Sequence, residues 1–514
     1  MPRWAYVVGL VVLTSAGAAM RAAWLDGPMR YDESWTFLFY IAPRELAACL
    51  TYSAPNNHIL HTLAVAAASW AGGDGPVVLR LPAYLAGVAM VSAVGMLATA
   101  LSGQRVAGLV GAAMVAGSGI LIEYSADARG YTMLCLAAVV LTWLTVRIVR
   151  DGRPWGRWIG WAAVSAAGLW VIPIMVYPMI ALAAVIVLQA FLGPAPPVVR
   201  RRVVRRVGTM LLLAAAVAAV LYAPVVHYTG LSATEGSPAA RASPVAVYGS
   251  GIYALVGNEF VAPRPLGEVA GKLPGVAAEA VGLWGYGMGW LWRFLMGVGV
   301  LVGVVVGFRR RRALWLMPVV LAVVLVVMTL AQRVVPFGRV WLFGLPMLAA
   351  LAAAGWAELA GRVRRGRWRV AAGAVLVMAA AGTAAEAGWR CMQPANRVSL
   401  GACLPDARAI VADALELADG RTALAWDYEV PTWPPLVYYV VTQSSPGRQF
   451  YGYLEDDCRR VLVVVPAEQT LGEVLGHRPQ LSAAYGDMRL WRRYPAAEVY
   501  IADRKAAAET WPSR

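Results

Sequence analysis

The sequence predicts an α-helical polytopic membrane protein, a bundle of about eleven transmembrane helices followed by a small extracytoplasmic α/β domain. Three observations lead there. The 514 residues are 60% hydrophobic and only 14% charged, with a mean hydropathy of +0.59, which leaves too little charge to cover a soluble surface. Apolar runs such as Val207–Val226 and Ala313–Leu330 recur at close to the ~20 residues that a helix needs to cross a bilayer. The formal charge of +16 falls in short clusters between those runs, the pattern of positive-inside topology, and this excludes a nucleic-acid partner as its explanation.

Those clusters are Arg147, Arg150, Arg153 and Arg157; Arg200, Arg201, Arg202, Arg205 and Arg206; Arg309 to Arg312; and Arg362, Arg364, Arg365, Arg367 and Arg369. The first apolar run, Trp4–Trp24, is read as a span and not a signal peptide, because no small-residue cleavage site precedes the polar stretch Asp26–Asp32. The segment His58–Ala71 decides the topology. At 14 residues it is short for a crossing and reads as an interfacial or re-entrant helix. The crossings then lie near 4–24, 80–101, 106–123, 131–149, 158–173, 178–193, 207–227, 287–308, 313–331, 337–358 and 370–389. With the amino terminus inside, every arginine cluster is cytoplasmic; one extra span at His58–Ala71 would place all of them outside. The external segments are a first loop over 25–79, the Glu123–Gly130 turn, a loop over 228–286, the Gln332–Phe337 turn and the tail. The expected organisation is a membrane domain over 1–389 and a soluble domain over 390–514.

The tail is polar and mixed. Pro405–Leu417 has helical spacing, while Thr422–Trp426, Val461–Val465 and Val499–Ile501 read as short buried strands. No Gly-rich phosphate loop follows them. Of the five cysteines, none has the spacing of a metal site. Cys391 and Cys403 could close a short disulfide loop in an oxidising compartment, with Cys458 as an alternative partner, and spacing leaves the choice open.

Chemistry concentrates in the first external loop, which carries Tyr31-Asp32-Glu33-Ser34-Trp35-Thr36 and then Ser53-Ala54-Pro55-Asn56-Asn57-His58. Two carboxylates just beyond a span stand where a membrane-embedded substrate presents its head group, and a partly desolvated carboxylate there suits a general base; the competing reading is a helix cap or a solvated pair. Arg80, Arg129, Arg333 and Arg339 fall at external helix ends, against the positive-inside trend. Their guanidinium forks suit a lipid phosphate, with snorkelling to head groups as the alternative. His58 could donate to phosphate, shuttle a proton or hold structure. His61 shares its helical face, so a divalent cation held with Asp32 is an option, although no further ligand set is visible.

The succession of "YDE" at Tyr31, "PNNHIL" at Pro55, "LRLPAYLAG" at Leu79 and "YSADARGY" at Tyr124 resembles the GT-C superfamily of polyprenyl-phosphate-sugar-dependent glycosyltransferases. The similarity is to the branch of protein O-mannosyltransferases and lipid A aminoarabinose transferases, and it covers the first 230 residues or so by motif and the rest by topology. The resemblance implies a GT-C-type helical bundle with Asp32 as catalytic base and Glu33 as its neighbour. It further implies a juxtamembrane helix after His58. The family's "HPPL" is matched only in part, since His58 is followed by Ile59-Leu60 and preceded by two asparagines.

On this reading Arg129, Arg339, Arg80, Arg333 and His58 are candidates for the donor phosphate, and Tyr31, Asn57, Tyr124 and Tyr131 for the sugar or acceptor. The expected activity is inverting transfer of a sugar from a polyprenyl-phosphate carrier to a hydroxyl of a glycan, lipid or protein acceptor. It would take place on the extracytoplasmic face of a bacterial-type inner membrane, among membrane lipids and with no cofactor beyond the optional cation. The leading rival is a transporter or flippase, which would place charges near the bilayer midplane and repeat broken helices in two halves. A membrane-anchored binding protein acting through its tail would leave the Asp32 and His58 motifs unexplained.

Overall fold

The computed structural model of the chain describes residues 1–52, 56–150, 155–193, 196–234, 264–363, 366–393, 404–418, 421–427, 432–444 and 458–505. Within these the chain divides into two compact units. One comprises Met1–Leu25, Glu45–Ala68 and Leu79–Asn396; the other comprises Asp26–Arg44, Ser69–Val78 and Arg397–Arg514.

The first unit is helical. Among the described residues nine helices are long and apolar enough to cross a membrane, and a bent pair, Arg105–Ala116 with Gly119–Ser125, supplies a tenth if taken as one span. The expected crossing near 158–173 is the helix Trp155–Val171, which at 17 residues is shorter than the other spans. Ile59–Gly72 is an apolar helix of 14 residues, about 21 Å at 1.5 Å per residue against a hydrocarbon core of about 30 Å. That length agrees with an interfacial or re-entrant placement.

Two local arrangements explain how the bundle closes. The helices Trp290–Arg310 and Gly344–Gly361 meet through Gly299, Gly303 and Gly355, and a Cβ on Gly299 would stand 2.6 Å from the Ala352 carbonyl oxygen. Small residues let backbones approach this closely where lipid gives helices little other reason to associate. The second arrangement is the 65° bend between Ala116 and Gly119. A break there frees backbone carbonyls, which cannot be left unsatisfied in an apolar interior. Arg21, fully buried on the first helix, donates to the carbonyls of Val115 at 3.1 Å and Ala116 at 3.2 Å, and Trp292 Nε1 donates to that of Met114 at 3.1 Å.

The second unit contains a four-stranded sheet in the order β1-β2-β4-β3, formed by β1 (Thr422–Ala425), β2 (Arg460–Pro466), β3 (Arg489–Tyr494) and β4 (Ala497–Asp503). β1 and β2 are parallel and joined through the helix Trp433–Gln443, as parallel pairing requires a crossover; the remaining pairs are antiparallel. Val461, Val463 and Val465 of β2 pack with Ala423, Ala425, Val474 and Leu481. β3 forms one edge and carries Arg489, Arg492 and Arg493, charges that blunt an exposed strand.

Candidate active site

The acidic motif belongs to the second unit. Tyr31–Thr36 is a short helix that widens into a π-helical turn at Phe37–Ile41, an irregularity frequent at functional sites. Arg30 enters it in extended conformation, and its backbone N–H donates to Oε2 of Glu33 at 2.9 Å. Glu33 is 1% exposed and closes its own helix terminus, whereas Asp32 beside it is half-buried. Environment thus separates two adjacent carboxylates that look equivalent in sequence. Tyr31 stacks on Trp35 with ring centroids 5.8 Å apart.

The basic motif belongs to the first unit. His58 stands just before the helix Ile59–Gly72, and its Nδ1 accepts the backbone N–H of Gly130 at 2.8 Å. In neutral imidazole the ring proton must then lie on Nε2. That nitrogen lies 3.4 Å from Nη2 of Arg129, which puts an imidazole N–H and a guanidinium N–H side by side, a pair of donors suited to an anionic oxygen. Burial first, then the charges of Arg129, His61 and Arg339, hold the His58 imidazole well below the usual histidine range, and it is neutral at neutral pH. Arg129 is itself buried, donates through Nη1 to the Asn56 carbonyl at 2.6 Å and to the Asn56 side chain, and lies 5.9 Å from the centre of the Tyr131 ring. Tyr131 meets both His58 and Tyr124 edge-on, at 5.1 and 5.3 Å. Gly130 is required by this packing: a Cβ there would stand 2.9 Å from Val171 and 3.0 Å from His58.

The other candidates are placed less uniformly. Arg339 stands in the 3-10 turn Gly338–Trp341, over the ring of Phe337 at 5.0 Å, and its charge is felt by His58. Arg80 donates to the Leu25 carbonyl at 2.8 Å, in the turn that follows the first helix. Arg333 is the left-handed residue ending Met317–Gln332, and its carbonyl accepts the Arg264 N–H. Asn57 is committed to structure, with its amide donating to the carbonyls of Cys49 and Thr51 and its oxygen accepting from Thr62 at 2.6 Å. Ser53, Ala54 and Pro55 of the same motif lie outside the described residues.

Buried charges that the sequence patterns do not single out include Arg21, Arg30, Glu123, Asp127 and Asp427. Their signal was available, because charged residues inside or beside apolar runs are costly and retained for a reason. Among the described residues no group of three His, Cys, Asp or Glu side chains could hold a metal ion. Cys458 is buried; Cys403 and the side chain of Cys391 lie outside the described residues.

No protein-family model matches the sequence, and no curated protein does. Solved structures do match. ArnT from Cupriavidus metallidurans bound to undecaprenyl phosphate aligns over 100% of both chains with a TM-score of 0.62 at 12% identity. The archaeal oligosaccharyltransferase AglB from Archaeoglobus fulgidus, in complex with an inhibitory peptide and a dolichol-phosphate, aligns over 100% of this chain and 75% of its own, with a TM-score of 0.55 at 11% identity. The Archaeoglobus fulgidus oligosaccharyltransferase in complex with Zn and sulfate covers 96% of this chain and 72% of its own, with a TM-score of 0.54 at 13% identity. The chain therefore shares its fold with ArnT and AglB.

Proposed function

We propose that the protein is a membrane glycosyltransferase that moves a sugar from a polyprenyl-phosphate carrier to an acceptor hydroxyl on the extracytoplasmic face. The observation that carries this reading is the close approach of His58 Nε2 and Arg129 Nη2, 3.4 Å apart, beside the charge of Arg339. Two neighbouring donors on buried side chains suit a phosphate oxygen, and Arg80 and Arg333 supply further positive charge to the same unit. The neighbours' own ligands, undecaprenyl phosphate in ArnT and dolichol-phosphate in AglB, belong to the same chemical class.

In the proposed reaction Asp32 takes the proton of the acceptor hydroxyl, whose oxygen attacks the anomeric carbon as the bond to the carrier phosphate breaks. The electron pair of that bond leaves with the phosphate, and configuration inverts. Phosphate departs as a stable anion, so fixed positive charge can replace a general acid. Asp32 is favoured over Glu33 because Glu33 is engaged at the N-terminus of its helix. Tyr31, Tyr124 and Tyr131 are candidates for contacts to sugar or acceptor.

Mass spectrometry of lipids that copurify in mild detergent tests the class. Recovery of a polyprenyl phosphate or its glycoside is the expected result. Ordinary phospholipid alone, together with no binding of added undecaprenyl phosphate, would exclude it.

A further inference from the structure

The helix Trp433–Gln443 of the second unit carries two adjacent buried tyrosines, Tyr438 and Tyr439, each of which ends on the backbone of a different segment of the first external loop. Tyr438 donates its hydroxyl to the Asp74 carbonyl at 2.6 Å, and the Asp74 side chain in turn accepts from Ser69 and from Arg44 at 3.0 Å. The Tyr439 oxygen accepts the backbone N–H of Met29 at 3.2 Å. Met29 immediately precedes Arg30, the residue from which the Asp32-bearing helix starts. A buried phenol without a partner is costly, so the partner it finds is a strong constraint on that segment.

The same helix grips the acidic segment elsewhere too. Trp433 meets Trp35 edge-on at 5.6 Å, and Tyr438 meets Phe37 at 5.1 Å. Upstream, Arg408 forms a two-pronged pair with Asp26, at 2.8 and 3.2 Å, while lying over the Tyr439 ring at 5.6 Å. The short Tyr31–Thr36 helix is therefore held at its entry, middle and exit by residues more than 370 positions away in sequence.

We propose that Tyr439 is a positioning residue for Asp32, acting through the Met29 N–H. The proposal rests on the reading in which Asp32 is the base. It gives the carboxy-terminal unit a part in the reaction: its helix Trp433–Gln443 sets where the base stands.

The test replaces Tyr439 by Phe, which keeps the ring and removes the hydroxyl. Turnover is measured on undecaprenyl-phosphate-linked sugars extracted from membranes of the producing organism, and hydrogen exchange is followed over 29–36. The expected result is kcat lower by about 10- to 100-fold, as for a reacting group displaced by a fraction of an ångström to an ångström, with KM for the donor unchanged and faster exchange at Met29. In an Asp32→Asn background, Tyr439→Phe should cause no further loss. Tyr494→Phe, which loses a bond to Asp413 at the sheet edge, should keep full kcat. Wild-type kcat in Tyr439→Phe, an equal further loss in the Asp32→Asn background, or an equal loss in Tyr494→Phe would each overturn the proposal. Wild-type turnover in Asp32→Asn alone would instead overturn the base assignment, and the exchange data would still report on the clamp.

Discussion

His58 Nδ1 accepts the backbone N–H of Gly130 at 2.8 Å, and this bond ties the start of the helix Ile59–Gly72 to the loop that carries Arg129. It fixes the imidazole tautomer and with it the donor that faces Arg129. Gly130→Ala should disturb both, because the new Cβ would stand 3.1 Å from Nδ1 and 2.9 Å from Val171. Overpacking of this kind costs about 1–3 kcal/mol. A lower melting temperature and weaker undecaprenyl phosphate binding are expected; unchanged values of both would show that the loop yields freely.

The depressed pKa of His58 makes stability pH-dependent. Its folded value is lowered by burial and by Arg129, His61 and Arg339, so below the usual value of about 6.5 the unfolded chain binds a proton that the folded chain refuses. Stability from this group is complete above that pH and falls as the pH drops below it, by at most about 1.4 kcal/mol per unit. Melting followed from pH 7.5 to 5.0 should show the decline, and His58→Gln should make the curve flatter. Identical slopes in the two proteins would refute the assignment.

Arg129→Ala should weaken binding of undecaprenyl phosphate by about 10- to 100-fold, on the scale of a lost hydrogen bond to a charged group. Arg129→Lys should recover part of it, since an ammonium cannot reproduce the planar fork that reaches Asn56 and faces His58. Arg339→Ala should act in the same direction. Full affinity in both alanine variants, measured by titration in detergent, would leave the arginines without a phosphate role.

Asp32→Asn should slow turnover by about 10²–10⁴-fold, the usual worth of general-base catalysis, while carrier affinity is retained. Glu33→Gln should be nearly silent because its amide oxygen can still accept the Arg30 N–H, whereas Glu33→Ala should loosen the helix entry by about 1 kcal/mol. Loss of activity in Glu33→Gln with Asp32→Asn intact would reverse the two roles.

Topology is tested by cysteine labelling from either side of the membrane. Ser444→Cys should react from outside and Gly156→Cys from inside; a side chain at Gly156 meets nothing within 4 Å. Background should be low at Cys49 and Cys458, which are buried, and burial pushes the Cys49 thiol up to about 11. Reaction of both new cysteines from the same side would contradict the arrangement read from the arginine clusters.

Residue order alone dictates the elements whose stability is local or set by the bilayer. Most of the spans, the short helix after His58 and the strands β1 and β2 were legible, because apolar run length and burial pattern are written directly in residue order. The extra strand β3 was not, since Arg489–Tyr494 is charged and exposed and becomes a strand only because β4 offers a ladder. Nor was the helix Trp433–Gln443, whose Trp-Pro-Pro opening resembles a loop until the prolines are seen in its first turn, where their missing N–H costs nothing. In the site, the sequence supplied Asp32, Glu33, His58 and Arg129 as types of chemistry. It is tertiary packing that makes Glu33 cap a helix, spends Asn57 on carbonyls, puts the His58 proton on Nε2 and gives Arg21 to a broken helix. Each of these depends on which buried polar group finds a partner, and partners distant in sequence are chosen by packing.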